Sequence, residues 1–264
     1  MRMRDYSEKV PKPMVKLGYR PLIWNVMKYY AHFGHKDFIL CLGYKGDYIK
    51  RYFVEYKEYT SNNFILNNGG REIKLLNSDL DNWNITFVDT GMTSNIGQRL
   101  MKVRPYLEGE EMFLANYTDG LTDLPLNTMI HQFDRANKVA GFLAYQPTQS
   151  FHVVNLNDDG EVNSISPISK TGLWINAGYF IFKKEIFDFM QPGEELVVEP
   201  FQRLIQINQL YGYKYDGFWT AMDTFKDKQL LDNLYTQGNT PWEVWDQDSK
   251  VHSKIPTNGV GEKC

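Results

Sequence analysis

The chain has 264 residues, enough for one large α/β domain, and at 42% hydrophobic and 15% aromatic residues it is too apolar for a disordered polymer. A net charge of -3 with both signs scattered excludes a nucleic-acid or membrane surface as the organising feature, and no apolar run approaches a membrane span. The two cysteines, Cys41 and Cys264, make neither a disulfide framework nor a metal cluster; the opening Met1-Arg2-Met3-Arg4-Asp5 lacks the apolar core of a secretory signal, so a cytoplasmic location is expected.

In chain order, strands alternate with amphipathic helices, which predicts βαβ units and a largely parallel sheet. Pro21 opens a helix in which Ile23, Val26, Met27, Tyr30 and Phe33 recur at helical spacing before Gly34. Phe38 to Leu42 reads as a buried strand, followed by a helix that Asp47 could cap. Asn67-Asn68-Gly69-Gly70 signals a hairpin turn. Ile85 to Val88 is a strand ending at Asp89-Thr90-Gly91, and a helix around Gly97 to Val103 leads to the central strand, Met112 to Ala115. Further helices start at Pro125 and Pro200, strands are expected at 142–145, 177–182 and 210–215, and Asn157-Asp158-Asp159-Gly160 marks a second hairpin. Thr224 and Asp227 form a capping pair ahead of a last helix. Residues 1–245 are expected to form one domain and 246–264 a polar tail.

Chemistry concentrates just past strand ends. Asp119, in Tyr117-Thr118-Asp119-Gly120, falls where ligands bind in open α/β sheets and could hold magnesium and, through it, phosphates; an Asp-Gly turn is the alternative. Lys12 lies between Pro11 and Pro13, which predicts a stiff, extended segment able to aim its ammonium at a phosphate, unless it is simply a solvated lysine. Asp223 could complete the magnesium site or serve as a helix-start acid. Asn176 and Gly178 suit sugar hydroxyls approaching a strand edge, or a structural role. Gln98 could read a base edge and Arg99 could pair with phosphate or with a surface carboxylate.

Together, Pro11-Lys12-Pro13-Met14, Gly43-Tyr44-Lys45-Gly46, Val88-Asp89-Thr90-Gly91, Tyr117-Thr118-Asp119-Gly120, Ile175-Asn176-Ala177-Gly178 and Phe218 to Thr224 resemble the sugar-1-phosphate nucleotidyltransferases, most closely the glucose-1-phosphate cytidylyltransferase branch. The resemblance implies a Rossmann-like, three-layer, mixed and mostly parallel sheet of the nucleotide-diphospho-sugar transferase type. It implies Mg2+-dependent joining of a sugar 1-phosphate to a nucleoside triphosphate. Lys12 and Arg2 would be catalytic; Thr90, Gln98, Arg99 and Asp119 would bind nucleotide; Asn176, Gly178 and Lys170 would bind the sugar phosphate; Asp119 and Asp223 would hold the metal. A homo-oligomer is allowed by the aromatic surplus.

The sequence departs from that family in three places. The first central strand and its glycine-rich loop are missing, Arg2 alone matching the loop's final arginine, which should leave both neighbouring strands with unpaired backbone. The sugar-phosphate lysine is replaced near Ser166-Pro167, with Lys170 as substitute, and Gln98 stands where glycine is usual. The expectation is that the true start lies upstream of Met1; the alternative is a shortened relative that binds without catalysing. A glycosyltransferase of similar architecture is a third possibility, which the Lys12 segment disfavours.

Overall fold

The computed structural model describes residues 10–80, 82–148 and 151–246. A one-turn 3-10 helix at Lys12–Met14 leads through two short paired strands, β1 (Lys16–Leu17) and β2 (Arg20–Pro21), into α1 (Leu22–His32). Pro21 is the N-cap of α1, and its extended backbone, with φ -72 and ψ 163, aims the chain into the helix. Strand β3 (Asp37–Leu42) is followed by α2 (Gly46–Val54). Asp47 does not cap α2: Lys45 occupies the N-cap in the left-handed region and Asp47 lies inside the first turn, where its charge still complements the helix dipole. The hairpin β4 (Phe64–Asn67) and β5 (Glu72–Leu75) closes at the predicted asparagine-glycine turn.

Strand β6 (Asn84–Asp89) runs parallel to β3. After α3 (Ile96–Val103) come β7 (Met112–Asn116), the short β8 (Gly120–Thr122), α4 (Leu126–Ala136) and β9 (Ala140–Tyr145). A second hairpin, β10 (His152–Leu156) with β11 (Val162–Pro167), precedes the long β12 (Ile175–Lys183). The chain closes with α5 (Glu199–Gln206), β13 (Leu210–Tyr215), the short β14 (Trp219–Ala221) and α6 (Phe225–Thr236), the last capped by Thr224 and Asp227 as expected. The predicted tail lies almost wholly outside the described residues.

The main sheet runs β13-β9-β12-β7, mixed rather than uniformly parallel: β13 is parallel to β9, whereas β12 is antiparallel to both β9 and β7. Strand β12 shows why the fold has three layers. Tyr179 and Ile181 point into one core, shared with Val26, Met129 and Leu231 from α1, α4 and α6. Phe180 and Phe182 point into the opposite core, with Leu100 and Leu204 from α3 and α5. With both faces covered, the strand reads as a nearly continuous apolar run.

The β3–β6 pair stands apart. Among the described residues β3 pairs only with β6 and β7 only with β12, and their free edges face a shared cavity of about 270 Å³. Among the described residues no strand joins β3 to β7.

A buried ion cluster fastens the first hairpin to α1. The Asp79 carboxylate, 8% exposed, accepts from Ser61 Oγ at 2.8 Å, Asn62 Nδ2 at 2.9 Å, Tyr56 OH at 3.0 Å and Lys28 Nζ at 3.3 Å, with Arg20 Nη2 at 3.5 Å. Arg20, 5% exposed, also donates to Ser61 Oγ and the Lys57 carbonyl and stacks over the Tyr56 ring at 4.1 Å. Burial opposes ionisation of Asp79, but the Ser61 hydroxyl and the Lys28 ammonium more than offset it, so its carboxyl titrates below the usual 3.8.

Candidate active site

Lys12, Asp119 and Asp223 converge, and the backbone explains how. Strand β14 lies antiparallel to β8, with Trp219 opposite Thr122 and Ala221 opposite Gly120; one step further, the Met222 N–H donates to the Asp119 carbonyl at 2.8 Å. Two acids 104 positions apart thus become near neighbours across one short ribbon. Lys12 Nζ donates to Asp119 Oδ2 at 2.9 Å and to Asp223 Oδ1 at 2.6 Å. Its segment is not extended throughout: Pro11 is, but residues 12–14 form a 3-10 turn that Pro13 tolerates because a helix start needs no N–H there. Burial disfavours the Lys12 ammonium, yet the Asp119 charge and the hydrogen bonds to Asp223 and Asp119 outweigh it and hold its pKa above 10.5. Its positive charge is therefore secure at neutral pH.

Thr118, next to Asp119, has φ +63, a strained position for a β-branched residue. The strain is held by the Thr118 N–H donating to Asn116 Oδ1 at 2.6 Å and the Thr118 hydroxyl donating to the Tyr117 carbonyl at 2.6 Å. This kink turns the chain out of β7 and presents the Asp119 carboxylate to Lys12. No sequence pattern marks it, since threonine is rarely found in that conformation.

Asn176 and Gly178 form a bulge where the β12–β9 register shifts. The Gly178 N–H donates to Asn176 Oδ1 at 2.9 Å, Gly178 has φ +77, and a Cβ there would lie 2.9 Å from the Tyr117 ring. Gly178→Ala is expected to cost about 2 kcal/mol through left-handed strain and this clash, measured as a lowered denaturation midpoint; an unchanged midpoint would show that the bulge can flatten.

Other expected residues take different parts. Arg99 Nη1 donates to Thr90 Oγ1 at 2.7 Å, and a Cβ on Gly43 would lie 2.6 Å from the guanidinium, so Gly43 is what lets Arg99 lie against the end of β3. No carboxylate among the described residues is within ion-pair distance of Arg99, which leaves it available to an anion. Thr90 is fully buried, its hydroxyl donating to the Leu42 carbonyl at 2.8 Å while accepting from Arg99; it orients the arginine instead of facing a ligand. Gln98 spends its carbonyl oxygen accepting from the Asn95 N–H at 2.9 Å in a capping box, so that oxygen is taken from any base edge. Lys170 is exposed at the one-turn helix after β11 and makes no hydrogen bond or ion pair with the Lys12 cluster. Arg2 lies outside the described residues.

Sequence reasoning missed Lys214 and Trp174. Lys214 pairs with Ala144 on β9, which pairs with Asn176 on β12, so Lys214 and Asn176 share one row and one face of the sheet. Its ammonium sits 5.2 Å from the Trp174 ring. Only the three-strand register reveals this placement.

The site thus holds an ammonium bridging two carboxylates next to the ends of sheet strands, the crevice in which open α/β sheets bind ligands. The nucleotidyl transferase family model matches residues 1–227, and the chain belongs to that family. It is 35% identical over 247 residues to the glucose-1-phosphate cytidylyltransferase of Salmonella typhimurium, covering 93% of this chain and 95% of that protein. It is 31% identical over 246 residues to a Bacillus subtilis protein described as a probable glucose-1-phosphate cytidylyltransferase, covering 92% and 95%. A UDP-glucose pyrophosphorylase solved with UDP-glucose shares the fold at a TM-score of 0.64 and 14% identity, covering 90% of this chain and 94% of that one.

Proposed function

We propose that this protein joins a sugar 1-phosphate to a nucleoside triphosphate, glucose 1-phosphate and CTP being the pair its relatives' names favour. A phosphate oxygen of the sugar attacks the α-phosphorus in line, the bond from that phosphorus to the bridging oxygen breaks, and pyrophosphate leaves. Such transfer depends on positioning and charge neutralisation more than on a covalent nucleophile. The observation that carries the reading is the convergence of Lys12, Asp119 and Asp223 on one point.

Lys12 supplies a fixed positive charge for the transferring phosphate, and Arg99 one for the remaining phosphates. The Asn176 amide nitrogen would serve the sugar side, with Gly178 holding the bulge that positions it. Magnesium is the implied metal, and Asp119 and Asp223 fit it: they are hard oxygen donors already gathered around one cation. When bound, the ion would neutralise charge developing on the phosphates. No group of three or more His, Cys, Asp or Glu among the described residues could hold a metal, so phosphate and water oxygens would fill the other positions.

The test is pyrophosphate release from CTP plus glucose 1-phosphate with Mg2+, repeated with the other triphosphates and with a glycine-rich strand added ahead of Met1. Silence in every combination overturns the proposal. Lys12→Met should separately lower turnover by about 10²–10³ while tightening Mn2+ binding without nucleotide, because the two acids lose their resident cation. Unchanged Mn2+ affinity by calorimetry would show that Lys12 does not compete for them.

The open edges of β3 and β7 favour a second reading, a chain that binds nucleotide or sugar phosphate without transfer. Calorimetry would then register CTP binding while no pyrophosphate appears. No helix among the described residues is long and apolar enough to cross a membrane. A cytoplasmic location and a homo-oligomer remain part of the proposal; the exposed apolar side chains of the two hairpins, such as Leu66 and Ile165, support the latter, and sedimentation tests it.

A further inference from the structure

We infer that Lys214 reads the far edge of the sugar: its ammonium donates to the hydroxyls remote from C1 and so sets which hexose 1-phosphate is accepted. The inference rests on the transfer reading above and adds a specificity-determining residue from β13. Strands β12, β9 and β13 end together, with Ile175, Tyr145 and Tyr215 in the last row. Those three side chains pack on the first core. One step in, Asn176, Ala144 and Lys214 stand opposite one another and therefore face the other side of the sheet. Trp174 leads into β12, and the Lys214 ammonium sits 5.2 Å from the centre of its ring. A lysine rooted on β13 reaches that ring only by lying across β9, where the row holds nothing larger than the Ala144 methyl.

This direction points the ammonium along the path of the sugar. The Tyr117 N–H donates to the Gly178 carbonyl at 3.2 Å, which ties the Asn176–Gly178 bulge to the chain just before Asp119. Reaction centre, bulge and lysine follow one another across β7, β12, β9 and β13, at about 4.8 Å per strand. A sugar 1-phosphate with its phosphate at Lys12 and its ring beside Asn176 extends its C4 and C6 hydroxyls towards β9 and the ammonium that crosses it. Lys214 is exposed and, among the described residues, has no carboxylate within ion-pair distance. The ring contact already restricts the long side chain, so less freedom is lost when a ligand arrives. An ammonium has three donors and no acceptor, so it rewards a hydroxyl oxygen and gives nothing to a deoxy position.

The test measures binding of glucose 1-phosphate and of its 4-deoxy and 6-deoxy analogues by calorimetry, with Mg2+ and a non-hydrolysable CTP analogue present. Wild type and Lys214→Met are compared, and pyrophosphate release is followed in parallel. Wild type is expected to bind at least one deoxy analogue about tenfold more weakly than glucose 1-phosphate, the loss typical of one hydrogen bond from a charged donor. Lys214→Met should bind that analogue and glucose 1-phosphate alike, both about tenfold more weakly than wild type binds glucose 1-phosphate. In turnover the loss should fall on the KM for the sugar phosphate and spare kcat, because the contact is made equally before and during transfer. A purely structural lysine would weaken every sugar together and leave the deoxy preference intact. That result, unchanged binding in Lys214→Met, or no binding of any of the three sugars by wild type overturns the inference. A deoxy preference that follows Lys214 in a chain releasing no pyrophosphate refutes the transfer reading alone; release with a preference indifferent to Lys214 refutes this inference alone.

Discussion

Asp119→Asn is expected to lower kcat for pyrophosphate release by about 10²–10³, the penalty typical of deleting one preorganised electrostatic group. Its carboxylate is held by the Thr118 kink on one side and by the β8–β14 ribbon on the other, so an amide of the same shape keeps the position and removes only the charge. The denaturation midpoint should move little, because Lys12 retains Asp223 at 2.6 Å. The loss should not be recovered by excess CTP, since the charge serves the transferring phosphate, whereas raised Mg2+ should recover part of it. A variant with wild-type kcat would remove Asp119 from the chemistry.

Asp79→Asn is expected to cost about 3–5 kcal/mol of stability, the range for breaking one partner of a buried ion pair. Arg20 would be left 5% exposed without its counter-ion, and the amide cannot accept all the bonds that Ser61, Asn62, Tyr56 and Lys28 now give to the carboxylate. The pH dependence follows from the depressed carboxyl pKa. Its stabilising contribution is fully present above 3.8 and is lost as pH falls through the lower native value. Urea unfolding of the wild type should therefore show a drop below about pH 4 that is shallower in the variant. Equal slopes would assign the acid sensitivity to other carboxylates.

These two sites differ in how much of them the sequence discloses. Helix α1 and strands β7, β9 and β12 follow from apolar spacing, and the Thr224–Asp227 cap from its residue types. Lys12, Asp119 and Asp223 carry only local marks, flanking prolines, a strand end and a helix start, and it is the family resemblance that singles them out. What periodicity cannot supply is pairing between segments far apart in the chain. Strands β8 and β14 have three residues each, too few to show alternation, yet they bring the two acids together. Gln98 illustrates the converse. Its carbonyl oxygen is taken by a local cap that the Asn95-x-x-Gln98 spacing signals. The Asp79 cluster gathers residues from α1, from the segment after α2 and from either side of the β4–β5 hairpin, and no local motif announces it.

The β8–β14 ribbon also fixes how the acids can vary. Their spacing is set by ladder alignment, which changes only in whole-residue steps, not by side-chain packing, which drifts continuously. A single-residue slip would turn one carboxylate to the far side of the ribbon while leaving the other in place. Insertions and deletions between Gly120 and Thr122, or between Trp219 and Ala221, should therefore act as all-or-none lesions, whereas the connecting segments outside the ribbon are free to change length.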